Sequence, residues 1–150
     1  GQDRLLVLID YTKPSTEKRF YILDLLQKKL LLSTYVAHGR GSGDNYAVAF
    51  SNRPGSYQSS LGFFRTGDTY MGKNGYSLFL DGLEKGINDK ARERAIVVHG
   101  ANYADPAVLK GQQRLGRSLG CPALPPDISK QVIDTIKGGV LLYIYGLNKA

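Results

Sequence analysis

A chain of 150 residues with one cysteine reads as a single domain, residues 1–150, large enough to bury a core that no internal disulfide holds together. Its 20 Lys and Arg against 13 Asp and Glu give a formal charge of +7, which favours polyanionic partners. The basic residues are scattered, Lys28-Lys29 being the only tight run, and no basic helix or nucleic-acid motif is present, so nucleic acid is excluded as the expected partner. No stretch approaches the ~18 apolar residues that span a bilayer, and Gly1-Gln2-Asp3-Arg4 runs straight into a strand pattern with no signal peptide.

In chain order, residues 5–11 read as a strand and residues 12–17 as a turn broken by Pro14. Residues 19–25 and 30–38 are two further strands of an antiparallel meander, although residues 25–32 also suit a helix. The glycine-rich residues 39–45 lack phosphate-loop spacing and read as a turn, as do residues 52–56. Residues 61–66 form a strand ending in a Gly67-Asp68 turn, and residues 76–80 form the next. Residues 88–93 are a short helical connection, and residues 95–98 a buried strand with His99-Gly100 at its exit. Asp105-Pro106 marks the start of a short helix over residues 106–113. Residues 116–126 are irregular. The best helix is 127–137, capped by Asp127 and ended by Gly138, and residues 140–145 are the closing strand. The domain is therefore mainly β with two or three short helices.

The chemistry concentrates where Gly120-Cys121-Pro122 follows Arg114 and Arg117. A thiol needs a base or cationic surroundings to become a nucleophile, and a preceding glycine lets backbone approach a substrate. A buried structural cysteine is the competing reading. His38 and His99 are the only histidines, and the Cys-x-x-Cys and His-x-x-x-His spacings of zinc sites are absent, so no metal is expected. No Gly-x-Ser-x-Gly elbow exists. A Cys121/His99 pair remains, with the histidine first, the reverse of papain-like order.

Ile96-Val97-Val98-His99-Gly100 followed by Ser118-Leu119-Gly120-Cys121 resembles the signature of YkuD-type murein L,D-transpeptidase catalytic domains. Val36-Ala37-His38-Gly39 and Ser59-Ser60-Leu61-Gly62-Phe63 resemble upstream elements of that family. Gly120-Cys121-Pro122-Ala123-Leu124-Pro125, with residues 52–56 and 92–96, is similar to a divergent branch. Leu119 stands where the common motif has histidine, Ala123 where it has Arg or Asn, and the His-to-Cys gap is longer than usual.

The resemblance implies a β-sandwich of the L,D-transpeptidase type and a cysteine acyltransferase that needs no cofactor. Cys121 would attack the carbonyl between a diamino acid and the terminal D-alanine of a peptidoglycan stem peptide. His99 would serve as base and then acid, with the Gly100 carbonyl orienting its ring. The N–H groups of Gly120 and Cys121 would form the oxyanion hole. Substrate contacts are expected from Arg117, Arg114, Ser118, His38 and Tyr76, with residues 70–76 as a lid between strands. Carbapenems are the implied inhibitors, and an exported, periplasmic or cell-envelope location is implied, with the signal peptide outside this sequence. An L,D-carboxypeptidase or endopeptidase, or a non-catalytic wall-binding module, are the alternatives.

Overall fold

Strand periodicity dominates the N-terminal third. The structure is a computed structural model that describes residues 2–149. β1 (Leu5–Asp10), β2 (Phe20–Asp24) and β3 (Lys29–Thr34) form an antiparallel meander. β2 buries Phe20, Ile22 and Asp24 on one face and leaves Tyr21 and Leu23 on the other, the two-residue alternation of a pleated strand. The helical alternative for residues 25–32 fails because Asp24 closes a turn. Its carboxylate accepts the N–H groups of Leu26 and Gln27 at 3.0 and 2.9 Å and pairs with Arg4 at 2.7 Å. Lys28 follows in the left-handed region, φ 57°.

β4 (Gly62–Gly72) and β5 (Gly75–Gly82) form a long hairpin around the two-residue turn Lys73-Asn74. Two expectations are corrected here. Gly67-Asp68 does not end the strand: the pairing register shifts between Thr66 and Thr69, so the extra residues are taken up as a bulge. Residues 70–76 are not a loop between strands but the end of the hairpin, with Tyr70 and Met71 in β4 and Tyr76 in β5. Residues 88–93 are turns rather than a helix. The buried Asn88 side chain donates to the carbonyls of Leu61 and Phe63, both at 2.9 Å, and accepts the Glu84 N–H at 2.9 Å, competing with local helix bonds.

β6 (Val97–Gly100), the two-residue β7 (Ala123–Leu124), α1 (Pro126–Ile136) and β8 (Leu141–Tyr145) complete the chain. Asp105 does cap a short 3-10 turn, Pro106–Lys110, by accepting the Ala107 N–H at 2.9 Å. α1 opens on Pro126, whose missing N–H costs nothing in the first turn; Asp127 lies inside that turn and is not its cap. All eight strands join one sheet in the order β3-β2-β1-β8-β4-β5-β6-β7, with β8 parallel to β1 and antiparallel to β4. One apolar cluster draws Val7, Ile22, Leu78, Val98, Ile133 and Leu142 together, from both halves of the sheet and from α1. The fold is mainly β, with a single sheet curled around its core and one α-helix among the described residues.

Candidate active site

The site forms at the short edge of the sheet. β6 carries His99, and β7 pairs with it in parallel, His99 opposite Ala123 and Gly100 opposite Leu124. Cys121 therefore arrives two residues before the strand that faces His99. It lies level with Val97, whose N–H donates to its Sγ at 3.4 Å, while the thiol donates to the Ala95 carbonyl at 3.4 Å. His99 is not among the thiol's hydrogen-bond partners; its backbone position is offset from that of Cys121 by two residues along the strand direction. The Cys121 side chain is buried, its residue 9% exposed, rather than open at a groove mouth.

Two glycines let the backbone come this close. Gly120 has φ +128°, and a Cβ there would sit 2.9 Å from Ile96 Cδ1 and 3.1 Å from the Gln58 carbonyl oxygen. A Cβ on Gly100 would lie 2.4 Å from Ser129 Oγ, so only glycine lets α1 pack directly behind the histidine. Ser118 shapes the turn before the cysteine. Its hydroxyl donates to the Cys121 carbonyl at 2.6 Å and accepts the Gly120 N–H at 3.1 Å.

His99 is buried, and its Nδ1 lies 2.9 Å from the Gly100 carbonyl oxygen. Because a carbonyl only accepts, that contact puts the proton on Nδ1 and leaves Nε2 with a free lone pair. Burial lowers the imidazole pKa, against the opposing pull of the Gly100 carbonyl, so the ring is a neutral base. Burial also pushes the Cys121 thiol up, opposed by the Val97 N–H and by the positive charges of Arg94 and Lys73. A cleft of about 460 Å³ opens beside Gly100, lined among others by Lys73, Asn74, Tyr76 and Tyr103.

The sequence model of the L,D-transpeptidase catalytic domain matches residues 1–145. The chain belongs to this family. Among solved structures, this L,D-transpeptidase-family domain is similar to Pgp2, the helical cell shape determining protein of Campylobacter jejuni, with 17% identity and a TM-score of 0.62 over 97% of this chain and 48% of that one. It is similar to an L,D-transpeptidase from Mycobacterium smegmatis, with 13% identity and a TM-score of 0.57 over 95% and 59% of the two chains. It is also similar to the L,D-transpeptidase LdtMt1 in complex with imipenem, with 14% identity and a TM-score of 0.55 over 95% and 59%. At these identities the likeness is one of fold. The chain spans roughly half to three-fifths of the length of these structures. Curated proteins give no match.

The structure of this L,D-transpeptidase-family domain redraws the expected substrate contacts. His38 is 1% exposed, and both ring nitrogens are occupied. Nδ1 takes a bond from Arg19 at 2.9 Å, and Nε2 donates to the Asp44 carbonyl at 2.8 Å, so no atom is left for a substrate. Arg114 and Arg117 are bonded to other partners than the cysteine turn. Arg114 pairs with the Asp44 carboxylate, and Arg117 donates to the Gly43 carbonyl at 3.3 Å, so both staple the 43–44 turn. The Ser118 hydroxyl is spent inside its own turn. That same bond occupies the Gly120 N–H, which removes it from the expected oxyanion hole; the Cys121 N–H has no acceptor among the described residues. Tyr76 lines the cleft, but its hydroxyl donates to Asp134 on α1 at 2.5 Å.

Lys73, within the expected 70–76 segment, comes to the cleft from the hairpin tip. Two contributors escaped the sequence reading. Tyr103 reaches the cleft from the turn after His99-Gly100, signalled by its position directly behind the motif. Arg94 reaches Gly120 from before β6, in the middle of the family-like segment 92–96 that carried no assigned role.

Proposed function

We propose that this domain is a cysteine acyltransferase acting on peptidoglycan stem peptides. The observation that carries the reading is a neutral His99 with Nδ1 fixed on the Gly100 carbonyl, on a strand hydrogen-bonded to the one that continues from Cys121, beside an open cleft. Nε2 is then the atom that accepts the Cys121 proton, directly or through one water. The thiolate loses its bond to the Ala95 carbonyl and keeps the Val97 N–H. Sulfur attacks the carbonyl carbon before the terminal D-alanine, and the Cys121 N–H faces the developing oxyanion. The C–N bond breaks, His99 returns its proton to the leaving amine, and a thioester remains. An acceptor amine attacks the thioester, its proton passes through His99, and a new amide forms as the thiol is restored.

Arg94 and Lys73 make the surroundings of the thiol positive, which suits stem peptides rich in carboxylates. The family implies a place at the cell envelope, outside the cytoplasm. Carbapenems would acylate the same sulfur, a reading supported by the fold-level likeness to an imipenem complex. The experiment is product analysis with a stem tetrapeptide, with and without a second stem as amine acceptor. Free D-alanine plus a cross-linked dimer supports acyl transfer. D-Alanine plus tripeptide alone makes the domain a carboxypeptidase, and no release by wild type overturns the reading.

A further inference from the structure

Arg94 lies beside the cysteine turn and is bound only by neutral groups. Arg94 donates from Nη1 to the Ser51 carbonyl at 2.9 Å and to Ser60 Oγ at 2.7 Å. From Nη2 it donates to the Gln58 carbonyl at 2.8 Å and to Ser56 Oγ at 3.2 Å. All four acceptors are neutral. The arginines that form ion pairs among the described residues are Arg4, Arg92 and Arg114, so Arg94 is a half-buried cation with no carboxylate. Such a charge loses hydration without gaining a counter-ion, an arrangement that favours an anion placed nearby.

The place for that anion is the cysteine turn. A Cβ on Gly120 would stand 3.5 Å from Arg94 Nη2 and 3.1 Å from the Gln58 carbonyl oxygen that Arg94 holds. The residue after Arg94, Ala95, accepts the thiol proton. We propose that Arg94 is a positioning residue of the reaction, clamping residues 51–60 against the Gly120-Cys121 turn and supplying positive charge that favours the Cys121 thiolate when His99 takes its proton. This rests on the reading of Cys121 as the nucleophile. It replaces the expectation that Arg117 or Arg114 serves this purpose, since both are committed to the 43–44 turn.

The Val97 N–H is the strongest group opposing burial at the thiol, and among the charges the other groups leave Arg94 the main contributor. Tyr11 and Tyr103 are phenols that burial holds near 12, so they stay neutral. His99 is neutral, and no carboxylate acts on the sulfur. Lys73 is the other cation, but it sits exposed at the hairpin tip, where water and salt screen it.

The test uses the single cysteine of this chain, whose alkylation by iodoacetamide reports one thiol. The rate is measured against pH for wild type, Arg94→Gln, Arg94→Lys and Lys73→Gln, each checked for a cooperative melt. Arg94→Gln is expected to raise the alkylation midpoint by about one pH unit, a tenfold slower reaction at neutral pH. Lys73→Gln is expected to move it by a few tenths of a unit at most, as screened surface charges do. Arg94→Lys keeps the charge while losing the fork, so its midpoint is expected to stay within a few tenths of wild type, by the same charge argument. A folded Arg94→Gln protein with the wild-type midpoint overturns the proposal. If that variant does not fold, a folded Arg94→Lys protein whose midpoint rises by about one pH unit above wild type overturns it. Stem-peptide turnover is followed separately. A normal Arg94 effect without turnover in wild type refutes the catalytic reading alone. Full turnover with an unmoved midpoint in Arg94→Gln refutes the Arg94 proposal alone.

Discussion

Acid should destabilise this fold through His38 before its carboxylates respond. His38 is buried between Arg19 and the Gly43 and Asp44 carbonyls, and desolvation beside the Arg19 guanidinium lowers its pKa from 6.5 to about 4. The folded state thus refuses a proton that the unfolded chain accepts. The stability this represents is present above pH 6.5 and is lost as pH falls from 6.5 towards 4. At about 1.4 kcal/mol per pKa unit the full loss is about 3 kcal/mol, with about 2 kcal/mol gone by pH 5. His99 adds a contribution of the same sign. The carboxylates lowered by their partners, Asp24, Asp81, Asp89 and Asp134, contribute only as pH drops below their ordinary value of 3.8, so the window above pH 4.5 isolates the histidines. Urea unfolding at pH 7.5 and pH 5.0 measures the loss. His38→Gln should start less stable, because Arg19 loses its acceptor, but should lose about 2 kcal/mol less between the two pH values. Equal losses in wild type and variant would refute the buried, neutral His38.

Three other substitutions test the reassigned residues. Ser118→Ala removes two buried bonds that shape the cysteine turn and should lower stability by about 2 kcal/mol, read from the urea midpoint; a change within a few tenths would contradict that role. Tyr76→Phe should cost about 1 kcal/mol through the lost Asp134 bond and leave kcat within about twofold, whereas a large fall in kcat at unchanged stability would restore the hydroxyl to the reaction. His99→Ala should slow thioester formation by about 10²–10⁴-fold with the fold intact; an unchanged rate would move the base elsewhere.

What could be read from the sequence and what could not divide along physical lines. The meander of β1 to β3 was legible because alternating apolar residues encode a face locally, and Asp105-Pro106 because a cap needs only its neighbours. The Gly67-Asp68 bulge was not, since Gly-Asp marks a turn in isolation and only pairing with β5 carries the strand through it. The match of residues 1–145 supports the family drawn from His99-Gly100 and Gly120-Cys121. Their surroundings were less accessible. Arg114 and Arg117 lie near Cys121 in sequence but bond to a turn some 70 residues earlier, while Arg94, 27 residues before the cysteine, lies against its turn. Proximity along the chain misled because long side chains act where the fold carries them. Ser118 shows the same limit, for a hydroxyl can serve a substrate or its own backbone with no change in the residues around it.

The central claim is that Cys121 forms a covalent acyl intermediate with the help of His99. Intact-protein mass spectrometry after incubation with a carbapenem tests it most directly. The account predicts one adduct per chain, mapped to Cys121, absent in Cys121→Ala and markedly slower to form in His99→Ala. A wild-type protein that stays unmodified, or an adduct that persists in Cys121→Ala, would contradict it.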